Sequence, residues 1–312
     1  MAPPHPLPIP IPMNDRPADT DSLDRFLLPR AGVRGVRVHL GGTWEAIRSR
    51  DTLSPGAATL LGEACAAAAL FTGHAKVEGR LSVHLRGQGA LRTLFAECTA
   101  AGTLRGIVRL ADDGATLPSG LRDAAASAIL AITVENPGTG NREPQRYQGL
   151  VEIAADSLSE AFEGYFHQSE QLPTRLLLAA DGHAAAGLML QKLPGDQGDA
   201  DGWDRASALF DTLRPAELLA WPGATLLHRL FHEEAPEPLG ARPLRFGCSC
   251  SRGRVAEVLR SLGQEEAGAA VIDGLARIHC EFCGQAYEFD RDAVDALFTA
   301  TGAPMDAPHR LQ

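Results

Sequence analysis

Positive charge is in short supply. Against 39 Asp and Glu the chain of 312 residues carries 29 Lys and Arg, a formal net charge of −10. A surface with that balance repels phosphate, so a binder of nucleic acid or anionic membrane held by charge neutralisation is not expected. Long apolar runs are missing too: none approaches the roughly 20 residues that span a bilayer. The amino-terminal stretch has neither the basic start nor the unbroken apolar core of a secretory signal. No membrane partner is expected, and the location expected is cytoplasmic. Cysteine is scarce, six residues in the whole chain, far below the density of a disulfide-built scaffold. Catalytic motifs are absent: there is no G-x-S-x-G and no G-x-x-x-x-G-K-[ST]. Gly87-Gln88-Gly89 lacks the third glycine and following helix of a phosphate loop. His232, in Phe231-His232-Glu233-Glu234, lacks the second histidine of a zinc-protease helix and reads as a helix-terminal histidine. An enzyme is not expected.

What is present suits a soluble globular protein: 45% of residues are hydrophobic and 22% charged, and the length allows one large or two smaller cores. Residues 1–21 stand apart, with prolines at 3, 4, 6, 8, 10, 12 and 17. Proline fixes φ and removes a donor, so this stretch reads as a disordered tail, with a docking peptide as the less common alternative. Residues 22–194 read as an α+β core domain. Alternation at Val36–Leu40 and Leu81–Leu85 predicts strands, and Leu91–Cys98, Leu104–Leu110, Ile129–Val134, Tyr147–Ile153, Leu176–Ala180 and Ala186–Leu190, set off by turn signals, read as further strands. Their short connections predict antiparallel sheets. An Ala-rich helix is expected over Ala57–Phe71, capped by Ser54-Pro55 and stopped by Gly73, with side chains small enough for close packing. A second helix opens at Ser157-Leu158-Ser159-Glu160, a capping-box spacing.

Residues 195–245 read as a metastable helical linker. Trp203, Ala206, Leu209, Phe210 and Leu213 recur at helical spacing, but Pro215, Pro222, Pro236 and Pro238 cut the segment into pieces. Short helices are marginal alone, so their apolar faces are expected to dock on the core. Acidic residues outnumber basic ones here, and the surplus (Asp196, Asp199 and Asp201 among them) is expected to keep an undocked form soluble.

Residues 246–312 form a segment too small to rely on its own core. It holds four cysteines in two tight pairs, Cys248-Ser249-Cys250 and Cys280-Glu281-Phe282-Cys283-Gly284. Four thiolates close a tetrahedral zinc shell; soft ligands argue against magnesium or calcium and leave iron as the alternative. A helix from Ser251 to Leu262, capped by Ser251 and with Val255, Val258, Leu259 and Leu262 on one face, and strands at Arg277–His279 and Ala286–Phe289 are expected around them. His279 abuts Cys280, but four sulfurs suffice. A purely structural zinc ribbon is the ordinary use of such ligands. The one-residue spacing of Cys248 and Cys250 is not ordinary for a ribbon: it allows a local disulfide in a small strained ring, and strained bonds are the labile ones. Thiolates are also what peroxide attacks. Cys65 and Cys98 read as buried small hydrophobes.

These cysteine pairs resemble those of the redox-regulated 33 kDa chaperonin family, bacterial heat-shock holdases. So do Glu97-Cys98-Thr99, Tyr147-Gln148-Gly149, the run Tyr165–Arg175, Gln191–Gly195 and Leu230–Glu234, in that order. The resemblance implies one zinc ion per chain in a reduced, monomeric, largely inactive form, held by Cys248, Cys250, Cys280 and Cys283. It implies that oxidants form the disulfides Cys248–Cys250 and Cys280–Cys283, release zinc and unfold the switch and linker. The protein then dimerises and holds unfolding client proteins without ATP. A zinc-ribbon adaptor and a zinc enzyme are the competing classes; the enzyme needs an open metal position that four cysteines leave no room for.

Overall fold

The computed structural model describes residues 21–112, 117–118, 120–138, 143–195 and 197–299. The proline-rich tail up to residue 20, Asp196 and residues 300–312 lie outside the described residues. The strands are β1 (Ser22–Leu28), β2 (Val33–Leu40), β3 (Arg80–Arg86), β4 (Leu91–Thr99), β5 (Thr103–Leu110), β6 (Ile129–Asn136), β7 (Gln145–Glu152), β8 (Thr174–Ala180), β9 (Ala185–Lys192), β10 (Glu237–Pro243), β11 (Arg245–Phe246), β12 (Leu275–His279) and β13 (Ala286–Asp290). The helices are α1 (Gly42–Arg48), α2 (Pro55–His74), α3 (Leu121–Ala124), α4 (Leu158–Ser169), α5 (Gly202–Phe210), α6 (Pro215–Ala220), α7 (Gly223–Phe231), α8 (Arg252–Leu262), α9 (Gln264–Ala269) and α10 (Arg291–Thr299).

The fold is α+β, as expected. Sheet one runs β10-β1-β2-β9-β8 and sheet two β11-β5-β4-β3-β6-β7, antiparallel except where β11 joins β5; β12 and β13 form a separate hairpin. Helix α2 packs between the two large sheets, against β4, β5 and β3 on one side and β9, β8 and β2 on the other. Its small side chains make this approach possible: Ala64 and Ala66 to Ala69 are fully buried. The sheets reciprocate, since a Cβ on Gly106 would stand 2.9 Å from the Cys65 sulfur and one on Gly187 2.6 Å from Leu70. Both Cys65 and Cys98 are buried free thiols whose pKa burial pushes up, to about 12 and about 11.

Several expectations need correction. One helix, α2 with 20 residues, is long and apolar enough by length and composition to cross a membrane, but it is mostly buried between the sheets. Gly73 does not stop α2, which runs on to His74; a Cβ at Gly73 would meet Leu23 at 2.8 Å. Ser54 makes no side-chain cap bond. At α4 the Ser157 hydroxyl does accept from the Glu160 N–H at 3.2 Å, but the Glu160 carboxylate reaches the N–H of Asp156 instead of Ser157. In α8 the inner face is Ala256 and Leu259, while Val258 and Leu262 are 57% and 49% exposed.

Residues 195–245 are not helical throughout. Helices α5 to α7 lie on the outer face of sheet one, where Phe210, Leu218, Leu226 and Phe231 pack on Phe26, Leu28, Val33 and Leu190. The chain then returns as β10, an edge strand on β1. Pro238 and Pro243 hid it from a sequence reading, yet an edge strand tolerates proline where no ladder donor is needed. The acidic residues are not free either: Arg205 pairs with Asp199 at 2.9 Å, with Asp201, and with buried Glu234 at 2.9 Å.

Candidate metal centre

The first cysteine pair is carried by the edge of sheet two. Arg245 and Phe246 pair with Thr103 and Leu104, and the Gly247 N–H donates to the Leu104 carbonyl at 2.9 Å. Cys248 and Cys250 follow at once, and Ser251 then caps α8, its hydroxyl accepting from the Arg254 N–H at 3.3 Å. The second pair sits in the tight turn between β12 and β13. Gly284 N–H donates to Cys280 O at 2.8 Å, and Gly284 has φ +70°, a conformation that favours glycine.

The two pairs meet. All four sulfurs lie within 4.8 Å of one another, with Cys248 to Cys280 at 3.6 Å and Cys250 to Cys283 at 3.3 Å. A tetrahedron with metal–sulfur bonds near 2.3 Å has an edge of about 3.8 Å, so the donor set and spacing fit one zinc ion. The polar surroundings suit thiolates: Tyr287 donates to Cys250 Sγ at 3.0 Å, and Arg105 Nη1 lies 3.9 Å from Cys248 Sγ. Burial pushes Cys283 up to about 12, aided by the neighbouring sulfurs. Burial works the same way on Cys250, but hydrogen bonds from Tyr287 and the adjacent thiols prevail and bring it down to about 7. Four adjacent sulfurs do not all ionise unaided, because like charges repel; a dication makes that possible. His279 is not part of the cluster.

Around this centre the small domain has little to hold it. Its buried core is Ala256, Leu259, Ala267, Ala276, Phe289 and Val294, half of it alanine. The cysteine turn also leans on sheet two. Phe282 packs edge-on against Phe95 at 5.5 Å, beneath the Arg105 guanidinium at 4.3 Å. Arg105 is held by the buried carboxylate of Glu97 at 2.9 Å. Burial works against the Arg105 charge, but Glu97 and Cys248 outweigh it and the pKa is raised. Arg50 donates to Cys283 O at 2.8 Å.

All four expected ligands are therefore brought together. Arg50, Arg105 and Tyr287 were missed. The alternation of β5 does place Arg105 on the outward face, but nothing local places that face beside the cysteines; Arg50 carries no signal at all.

Comparison with known proteins finds relatives over most of the chain. The profile of the family described as Hsp33 protein matches residues 21–290. The 33 kDa chaperonin of Azotobacter vinelandii is 40% identical over 301 residues, covering 94% of this chain and all of that protein. The 33 kDa chaperonin of Pseudomonas fluorescens (strain SBW25) is 39% identical over 306 residues, covering 95% of this chain and all of that one. Among solved structures, the 33 kDa chaperonin (heat shock protein 33 homolog) of Thermotoga maritima superposes with a TM-score of 0.72 at 21% identity, over 89% of this chain and 98% of that chain.

Proposed function

The chain belongs to the Hsp33 family, and from that premise we propose that it is a redox-regulated holdase working without ATP. Its role as a chaperone comes with the family; the switch is argued from its own residues. Cys248, Cys250, Cys280 and Cys283 would hold one zinc ion in the reduced protein. Zinc bound there supplies charge neutralisation and folding energy, roughly 10–16 kcal/mol of apparent binding in small zinc peptides. A core half alanine does not replace that much.

Under oxidation the four thiolates give up four electrons and form the disulfides Cys248–Cys250 and Cys280–Cys283. Two molecules of peroxide take up those electrons with four protons and leave as four waters. Disulfide sulfurs carry no charge to grip a cation, so the small domain loses its staple. Residues 246–299 then come loose and take β11 with them. Helices α5 to α7 lose their docking, and the apolar face at Phe26, Leu28, Val33 and Leu190 opens to unfolding clients and to a second copy of the chain. The reduced form is the monomer and the oxidised form the dimer. A resting state with these four cysteines reduced suits the reducing cytoplasm.

The observation that carries this reading is the gathering of four sulfurs within 4.8 Å at the edge of the core sheet. The test is zinc stoichiometry and thiol count before and after peroxide, with light scattering of an unfolding client in both states. Expected are one zinc and six thiols in the reduced chain, two thiols and no zinc after oxidation, and suppression of aggregation only then. Cys283→Ser should weaken zinc binding and lower the oxidant needed. Tightly reduced protein without zinc, or suppression indifferent to oxidant, refutes the switch.

A further inference from the structure

The outer face of sheet two, the side away from α2, carries a row of Ile, Phe, His, Ala and Leu side chains that follows the strand register, its histidine accepting from Arg86 at 3.2 Å. Ile107 of β5 stands opposite Phe95 of β4, Phe95 opposite His84 of β3, His84 opposite Ala131 of β6, and Ala131 opposite Leu150 of β7. Cross-strand neighbours on one face touch, and the Phe95 and His84 rings do so edge-on at 5.5 Å. Five strands at the usual spacing make the row about 19 Å long, the reach of an extended segment of about six residues.

Its two ends differ. Near the inner end, Phe95 is covered by Phe282, from the very turn that holds Cys280 and Cys283. The outer end is open: Leu150 is 65% exposed, and Ile129 beside it 54%. Strand β7 is the last of its sheet and pairs only with β6 among the described residues. Single exposed apolar side chains need no explanation. An aligned row that runs out to the edge of a sheet and leaves Leu150 and Ile129 exposed there is different, because an edge strand offers unpaired backbone groups beside the apolar side chains.

We propose that this row is a client-binding face for an extended apolar segment of an unfolding protein, with Phe282 as its removable cover. The proposal rests on the holdase reading above. Its occupant follows from continuity: the row already binds one aromatic side chain from a segment that the switch releases, and the vacated seat of Phe282 joins the open stretch to Leu150. An unfolded chain offers such side chains and free backbone groups for the β7 edge.

The test uses the full chain and a fluorescein-labelled, reduced and carboxymethylated lactalbumin as a permanently unfolded probe, read by anisotropy. Leu150→Asp should weaken binding to the oxidised protein by about tenfold or more, the worth of burying one leucine. Its zinc release, thiol oxidation and far-UV circular dichroism should match wild type. Phe282→Ala keeps all four cysteines, and its reduced form should bind the probe where reduced wild type does not. Unchanged affinity in L150D overturns the proposal, as does an L150D protein that loses dimerisation alone while holding the probe as wild type does. A reduced F282A protein as silent as wild type refutes the cover. If oxidised wild type fails to bind the probe, the holdase reading falls and this face with it.

Discussion

Replacing Phe231 by Ala tests how the helical segment is held. Phe231 is fully buried at the end of α7, and its ring lies 6.3 Å from that of Phe26 on β1, nearly parallel to it. It belongs to an apolar cluster distinct from the one around α2, so its loss falls on the docking of α5 to α7 and spares the contact between the sheets. Truncating a buried Phe to Ala costs about 3–5 kcal/mol, which multiplies the undocked population by about two to four orders of magnitude. Helices of 9, 6 and 9 residues have no stability of their own to offset that loss. Hydrogen exchange on the reduced, zinc-loaded protein reads the effect. Amides of residues 202–231 should lose protection by that factor, while those of α2 and β9 keep theirs. The same reduced protein should suppress client aggregation in part. If α2 and β9 lose protection in step with α5 to α7, the segment is not a separately released unit, and the idea of a metastable linker is wrong.

Two further substitutions probe the core. Arg105→Ala leaves Glu97 buried beside the more distant Arg80 at 3.7 Å and uncovers Phe282; it should cost about 3 kcal/mol, seen as a lower thermal midpoint and faster cleavage of residues 246–299, and Arg105→Lys should restore part of it. Glu63, half-buried on α2, has its pKa raised by burial from 4.5 to about 7. A raised carboxyl pKa favours the folded state below the unfolded value and loses that advantage as pH rises through about 7, by up to about 3 kcal/mol. Glu63→Gln should therefore raise the thermal midpoint at pH 8 relative to wild type and narrow or reverse that gain at pH 5; an equal gain at both pH values contradicts the assignment.

Local chemistry wrote much of this fold into the sequence. Strict alternation marked β3, and the Ala-rich body of α2 announced close packing. The cysteine pairs declared a candidate metal site, because the spacing within each pair is a covalent fact of the chain. What was illegible depends on partners distant in sequence. Strand β1 ends at Leu28, just before Pro29, and β10 contains two prolines; β1 is paired by both β2 and β10, and β10 by β1. The division into two sheets is equally remote: β2 pairs with β9 and β3 with β6, pairings that no adjacent turn dictates. The basic and aromatic seat of the cysteine turn is assembled from α1's end, β4 and β5, which only the folded sheet brings together.

The route from sulfur to linker is short, and that shortness is the physical basis of the proposed switch. Pro243 pairs with Ser22 in sheet one, and two residues later Arg245 pairs with Thr103 in sheet two. Leu244 between them is 4% exposed, its N–H donating to Asp21 O at 2.8 Å. Cys248 is three residues further on. In the other direction, Glu234 lies three residues before β10 and anchors Arg205 of α5, while Arg30 of the β1–β2 turn donates to Glu233 O at 2.8 Å. One stretch from Glu233 to Cys248 thus touches both large sheets, the helical segment and the metal ligands. β11 has only two residues of ladder, too few to hold once the cysteine knuckle stops anchoring its far end. β10 is exposed along almost its whole length and carries two prolines, so it adds little resistance of its own. A disturbance at Cys248 therefore meets first the two-residue ladder of β11 and the exposed edge strand β10, and behind them short helices that have little stability undocked.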